Sequence, residues 1–108
     1  MIELRRAAAA DAPAIAAVYL DSFHATYDFP LAHTDEEVRG WVRDDMVATQ
    51  ETWIALDDGR VVALMVVAPG HLEHLYVAPD RLGEGIGRQL LDLAKRRSPD
   101  VLSLWAFQ

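Results

Sequence analysis

Apolar and charged residues alternate from Ile2 to Arg6, the period of a half-buried strand. Asp11 then stands where a helix N-cap is wanted, just ahead of Pro13, whose fixed φ suits a first helical turn. Ile15, Val18, Tyr19 and Phe23 follow at helical spacing and predict a first helix. Asp28 to His33, with Pro30 inside it, reads as a loop. Thr34 and Glu37 spell the S/T-x-x-E capping box, and Val38, Trp41, Val42 and Met46 supply the apolar stripe of a second helix.

The second half of the chain changes period. Thr52 to Leu56 is β-rich, Asp58-Gly59 is a hairpin turn, and Val61 to Val67 is an unbroken apolar run that predicts a strand buried on both faces. Pro69-Gly70 interrupts, His71 to Val77 forms another strand, and Pro79 closes it ahead of a glycine-rich turn from Leu82 to Gly87. Ile86, Leu90, Leu91 and Ala94 mark a helix running to about Arg97, Ser98-Pro99-Asp100 ends it, and Val101 to Phe107 reads as a last strand. The predicted order is β-α-α-β-β-β-α-β, an α/β chain read as a single domain over 1–108. Ala7 to Ala10 is the one low-complexity segment and reads as helix-compatible filler.

Composition narrows the chemistry. Ten Lys or Arg against seventeen Asp or Glu give a formal charge of −7 with 52% hydrophobic residues, too apolar for a disordered segment. Without any apolar run near the roughly 20 residues of a membrane span, membrane insertion is not expected. Arg5 and Arg6 ahead of the alanines superficially resemble a secretory signal, but Asp11 and Pro13 break the apolar stretch at once. The absence of cysteine excludes disulfides, thiolate metal sites and thiol nucleophiles, so the cytoplasm is the default expectation. Net acidity argues against sequence-independent nucleic-acid binding, which needs a basic face. Lys95-Arg96-Arg97 at a helix C-terminus is explained by the helix dipole alone, and Trp41, Trp53 and Trp105 fall at apolar-face positions that suit core packing.

The chemistry-bearing stretch is Leu75-Tyr76-Val77-Ala78-Pro79-Asp80-Arg81-Leu82-Gly83-Glu84-Gly85-Ile86-Gly87-Arg88: strand, glycine turn, helix start. Alternate glycines let a backbone approach a ligand and turn several N–H groups one way, and a helix N-terminus behind them favours an anion. Hydrogen bonds to a charged phosphate oxygen contribute roughly 1.5–3 kcal/mol each, against roughly 0.3–1 kcal/mol from an exposed helix end, so directed N–H groups dominate. Such local geometry lets an acidic chain hold an anion, with Arg81 and Arg88 expected to add positive charge. The G-x-G-x-x-G dinucleotide fingerprint fails because the sixth position from Gly83 is Arg88, and no Walker A run exists. A merely tight strand-to-helix connection needs fewer glycines than this.

From His71 to Gln108 the sequence resembles the acetyl-coenzyme A core of the GCN5-related N-acetyltransferases (GNAT family), whose pattern is Q/R-x-x-G-x-G/A after a strand ending like Leu-Tyr-Val-x-Pro. Leu75 to Pro79 matches the strand and Gly85-Ile86-Gly87 the glycine pair. The resemblance implies a GNAT-like mixed central sheet flanked by helices, with acetyl-CoA as co-substrate, no metal, and transfer of acetyl to a primary amine on a small molecule or peptide. It places the cofactor on Leu75, Tyr76, Val77, Leu82, Gly83, Glu84, Gly85, Ile86, Gly87 and Arg88. Two positions depart from the pattern: Leu82 occupies the Gln/Arg position, with Arg81 one residue early, and Glu84 stands where a basic residue is common. A third departure is that the family continues with a helix and two strands, usually carrying a thiolate-protonating tyrosine and an asparagine, so the chain is expected to be C-terminally truncated relative to the family. Its last strand is then expected to be covered by another copy of the chain, giving a homo-oligomer, or by a rearranged element, with cofactor binding and little turnover. A non-catalytic cofactor-binding or interaction module, or an inactive fragment, is the rival reading.

The resemblance also suggests a strand glutamate as base. Glu73 lies two residues before Leu75 on what strict alternation makes the same face, which His71 shares; His71 and His74 are rivals, with ordinary pKa values near roughly 6.5. A surface carboxylate paired with a cation is the plainer reading of Glu73. His24, Tyr27 and Asp28, at the end of the first helix and in the loop after it, are candidates for the acceptor site by analogy, or simple caps and surface contacts.

Overall fold

A computed structural model describes residues 2–26, 34–68 and 71–97. The strands are β1 (Ile2–Arg6), β2 (Glu51–Asp57), β3 (Arg60–Ala68) and β4 (His71–Val77), and the helices are α1 (Ala12–Thr26), α2 (Asp35–Trp41) and α3 (Ile86–Arg97). The order matches the expected β-α-α-β-β-β-α, while the strand read at Val101 to Phe107 and the loop from Asp28 to His33 lie outside the described residues. The described sheet has the order β1-β2-β3-β4 and pairs antiparallel throughout.

Short-range chemistry sets the element ends. Glu37 N–H donates to Thr34 Oγ1 at 3.1 Å and Thr34 N–H to Glu37 Oε1 at 2.9 Å, so the capping box forms as read. Asp58 (φ 51°) and Gly59 (φ 80°) both lie in the left-handed region, the backbone that a two-residue hairpin between right-twisted strands demands. Asp11 departs from expectation. It closes a 3-10 turn, Ala9–Asp11, and its carboxylate accepts from Ala8 N–H at 2.7 Å and from both Arg5 nitrogens at 2.8 and 3.0 Å. It therefore ties β1 to the start of α1 rather than capping the helix from outside.

β3 separates two cores. Val61, Leu64 and Val66 pack with Ile54 and Leu56 of β2 under Ile15, Ala16 and Leu20 of α1 and Val38, Val42 and Met46 of the second helical segment. Val62, Ala63, Met65 and Val67 pack with Ala55 and Leu72 under Ile86, Leu90 and Ala94 of α3. All of Val61 to Val67 is buried, as an unbroken apolar strand between two helical layers must be. Two adjacent residues, Val62 and Ala63, share one face because the pairing steps from Ala55↔Ala63 to Leu56↔Val61, leaving Val62 as a bulge. α2 runs on into a π-helical turn, Val42–Val47, beside which the buried Thr52 hydroxyl donates to Met46 C=O at 2.9 Å.

Candidate active site

β4 is the terminal strand of the described sheet, and it carries a bulge of its own. Val67 pairs with Leu72 and Val66 with His74, so one step on β3 spans two on β4 and Glu73 is the extra residue. The bulge shifts the alternation. Leu72, Leu75 and Val77 pack on the α3 side, while Tyr76 packs with the core under α1. Glu73 accordingly does not share the regular alternation with Leu75 on which its expected facing rested. Its side chain is exposed. Of His71 only the backbone, at the start of β4, is described.

Past Val77 the chain is fastened before it opens. Ala78 N–H donates to Val62 C=O at 2.8 Å, and a 3-10 turn, Pro79–Arg81, brings Arg81 N–H to Ala78 C=O at 2.9 Å. Gly83 and Gly85 then adopt φ of +83° and +80°, with Glu84 between them outside the left-handed region. Backbone that alternates in handedness is able to turn successive N–H groups toward one concave side. A side chain on either glycine would project into open space, with nothing within 4 Å. Gly87 differs: a Cβ there would meet Val77 Cγ2 at 3.6 Å, an ordinary van der Waals contact. Gln89 N–H donates to Gly85 C=O at 3.1 Å, the first bond of α3, so the N–H groups of the first turn have no intrahelical acceptor. The glycine stretch singled out in the sequence thus leads into a 12-residue helix whose first-turn N–H groups face no intrahelical acceptor, an arrangement that favours an anion.

The charged residues of the turn depart from expectation. Arg81 is not a loose cation, since its guanidinium donates to Asp57 Oδ2 at 2.6 Å and its Nε to both Glu84 oxygens at 3.0 and 3.1 Å. The guanidinium holds the Asp57 carboxyl below its ordinary value. Arg88 is exposed, and so is Leu82, at 67% of its full surface. A cleft of about 170 Å³ runs from this turn along β4, lined by Ser22 and Ala25 of α1, by Leu75, Tyr76, Val77 and Pro79, and by Leu82. Ser22 Oγ donates to Val77 C=O at 3.0 Å, pinning α1 to the end of β4 across the cleft.

On the α1 side of the bulge, sequence reading missed a cluster. The Tyr19 ring meets Trp41 at 5.6 Å and Tyr76 at 5.1 Å edge to face; His74 lies edge to face with Trp41 at 5.6 Å and stacked with Tyr76 at 5.9 Å. Burial against these rings lowers the His74 pKa from 6.5, an effect partly offset by the Glu73 charge. His74 is therefore a neutral, half-buried imidazole beside the bulge. Helical spacing places Tyr19 and Trp41 on apolar faces, but their meeting with β4 is long-range and has no local sequence signal. His24 is exposed on α1, its ring edge to face with Phe23 at 5.7 Å, and Tyr27 and Asp28 lie outside the described residues. No cluster of metal-ligating side chains occurs among the described residues.

Known proteins share this build. The chain is 27% identical over 100 residues to the peptidyl-lysine N-acetyltransferase YiaC of Escherichia coli K12, an overlap covering 92% of this chain and 68% of YiaC. The solution structure of apo YjaB from Escherichia coli superposes with a TM-score of 0.77 at 27% identity, covering 94% of this chain and 69% of that one. A GNAT family acetyltransferase from Brucella melitensis in complex with acetyl-CoA superposes with a TM-score of 0.66 at 25% identity, covering 90% and 69%. The family described as Acetyltransferase (GNAT) domain matches residues 48–106, which contain β2 through α3 and with them the bulged strand and the glycine turn. That span is more than half of the 108 residues, and the chain belongs to the GNAT family of acetyltransferases.

Proposed function

We propose that this domain transfers the acetyl group of acetyl-CoA to a lysine side-chain amine of a peptide or protein. The observation that carries this reading is the succession along the chain of the bulge at Glu73, the cleft lined by Leu75 to Val77 and Leu82, and the turn with its left-handed glycines. This succession suits a ligand with an anionic head and a slender arm. Acetyl-CoA supplies an activated thioester when bound, so the protein has to position it and to leave the acceptor amine uncharged. The N–H groups of the turn and of the first turn of α3 hold the phosphates, and Leu75, Val77 and Leu82, which line the cleft, flank the arm. The lysine acceptor is supported by the name YiaC carries, peptidyl-lysine N-acetyltransferase.

Of the candidate bases, His74 fits best. An amine must lose a proton to attack, and the acceptor of that proton must itself be unprotonated near neutral pH. Burial keeps the His74 imidazole neutral there, and Glu73 next to it favours the imidazolium once a proton arrives. Steady-state acetylation of a lysine peptide, followed by mass spectrometry and thiol release, tests both parts. His74→Gln is expected to lower kcat about 10²-fold or more and to leave the KM for acetyl-CoA within about twofold, whereas Glu73→Gln leaves kcat within about tenfold. Loss of rate confined to Glu73→Gln transfers the role to Glu73. Cofactor binding without acetylation of any amine supports the non-catalytic reading.

A further inference from the structure

Glu84 sits between the two left-handed glycines, so a negative carboxylate is built into the rim of a cradle read as a phosphate site. Left to itself it has two ways to hinder an anion: repulsion, and folding back onto the same N–H groups. Its side chain is instead held by Arg81, whose Nη2 lies 3.0 Å from Glu84 Oε1 and whose Nε donates to both carboxylate oxygens. The same guanidinium reaches Asp57 at the end of β2, at 2.6 Å. Arg81 is the best sheltered of the three, with 19% of its side chain exposed against 26% for Asp57 and 45% for Glu84. Its backbone is fixed as well, through the bond to Ala78 C=O at 2.9 Å. To serve as a direct phosphate ligand Arg81 would have to release two carboxylates and leave both beside the incoming anion.

We infer that Arg81 is a positioning residue: anchored on Asp57, it draws the Glu84 carboxylate out of the Gly83–Gly87 cradle and fixes the turn in its open form. A bidentate, charge-assisted pair fixes orientation as well as distance, which a lysine in this place would not do. This role rests on the cradle reading given above. It differs from direct charge attraction in one consequence, that removing Glu84 cancels the need for Arg81.

Two measurements on the full chain decide the matter. In calorimetric titrations with coenzyme A, Arg81→Ala is expected to weaken binding about tenfold or more, Glu84→Gln to stay within about threefold of the parent, and Arg81→Ala/Glu84→Gln to return to within about threefold, the non-additivity of residues acting through one another. A double variant as weak as Arg81→Ala, with Glu84→Gln tighter than the parent, would show Arg81 to be a phosphate ligand and overturn the inference. Amide hydrogen exchange on the unliganded protein is independent of any cofactor. Residues 82–88 are expected to exchange faster in Arg81→Ala while the strands, which report folding, stay unchanged. Unaltered exchange in that segment overturns the clamp. If the parent chain binds no coenzyme A, the proposed function fails, and exchange alone still decides whether Arg81 orders the turn.

Discussion

A β-branched side chain at Gly85 would have to accept φ near +80°, where its Cβ crowds the following carbonyl, and would also stand in the open space that the turn presents. Gly85→Val is therefore expected to cost about 1–3 kcal/mol of stability and to abolish coenzyme A binding, measured by urea unfolding and calorimetry on the same preparation. At Gly87 the obstacle is packing instead. Ala fits against Val77 Cγ2 at 3.6 Å, whereas Val adds a branch toward it, so Gly87→Ala retains binding that Gly87→Val loses. Equal losses in the two variants would show that backbone approach, not contact with Val77, requires the glycine. His74 carries a pH signature. Its folded pKa is depressed by burial, so the unfolded chain takes up a proton near about pH 6.5 while the folded chain still resists. Its contribution to stability is complete above that pH and is lost as pH falls toward the folded-state value. The urea midpoint is expected to drop between about pH 7.5 and 5.5, and to drop less in His74→Phe; identical drops would remove His74 as the source.

Thr52 joins two elements that no local pattern connects. Thr52 is 1% exposed, and its hydroxyl donates to Met46 C=O in the π-helical turn, an acceptor it shares with Gln50 N–H at 3.2 Å. Thr52→Val keeps the shape and removes one of the two donors to Met46 C=O, leaving the Gln50 N–H at 3.2 Å, and is expected to cost about 0.5–1.5 kcal/mol in urea unfolding; a loss of about 3 kcal/mol or more would mean that the hydroxyl does more than supply this one bond. Such pairings explain what the sequence discloses and what it hides. The Thr34–Glu37 box, the Asp58-Gly59 turn and the unbroken run of β3 are legible because each depends on residues within a few positions of one another. The glycine turn is legible for the same reason. The bulge at Glu73 is not, since one extra residue in a strand of mixed polarity leaves no compositional trace, and strict alternation then assigns the wrong neighbours. Asp11 is legible as a capping residue but not in its position, because its choice between helix and 3-10 turn is decided by Arg5 on β1. Likewise Arg81 reads as a free cation until Asp57, 24 positions away, is seen to hold it.

A chain of net charge −7 that binds a polyphosphate must overcome its own field. Several exposed or half-exposed carboxylates near the turn, Asp57, Asp80 and Glu84, are already engaged by Arg60 and Arg81, which removes much of the nearest repulsion. What remains is diffuse and falls off over a Debye length of about 10 Å at 0.1 M salt. The attraction proposed for the cradle, by contrast, comes from short N–H bonds that salt screens little. Two opposite salt responses follow. For the parent chain, coenzyme A affinity is expected to change less than about threefold, or to tighten, between roughly 0.05 and 0.5 M sodium chloride, because screening weakens long-range repulsion more than it weakens the cradle. Arg88→Ala removes an exposed charge from the first turn of α3 and touches no backbone N–H. Its loss of affinity should be about three- to tenfold at the low-salt end and vanish at the high-salt end. Parallel calorimetric titrations of both proteins across that range check the pair of expectations together. Affinity of the parent falling steeply with salt would mean that side-chain cations, rather than the geometry of Gly83 to Gly87, hold the phosphates; a salt-independent deficit in Arg88→Ala would make Arg88 a directed ligand.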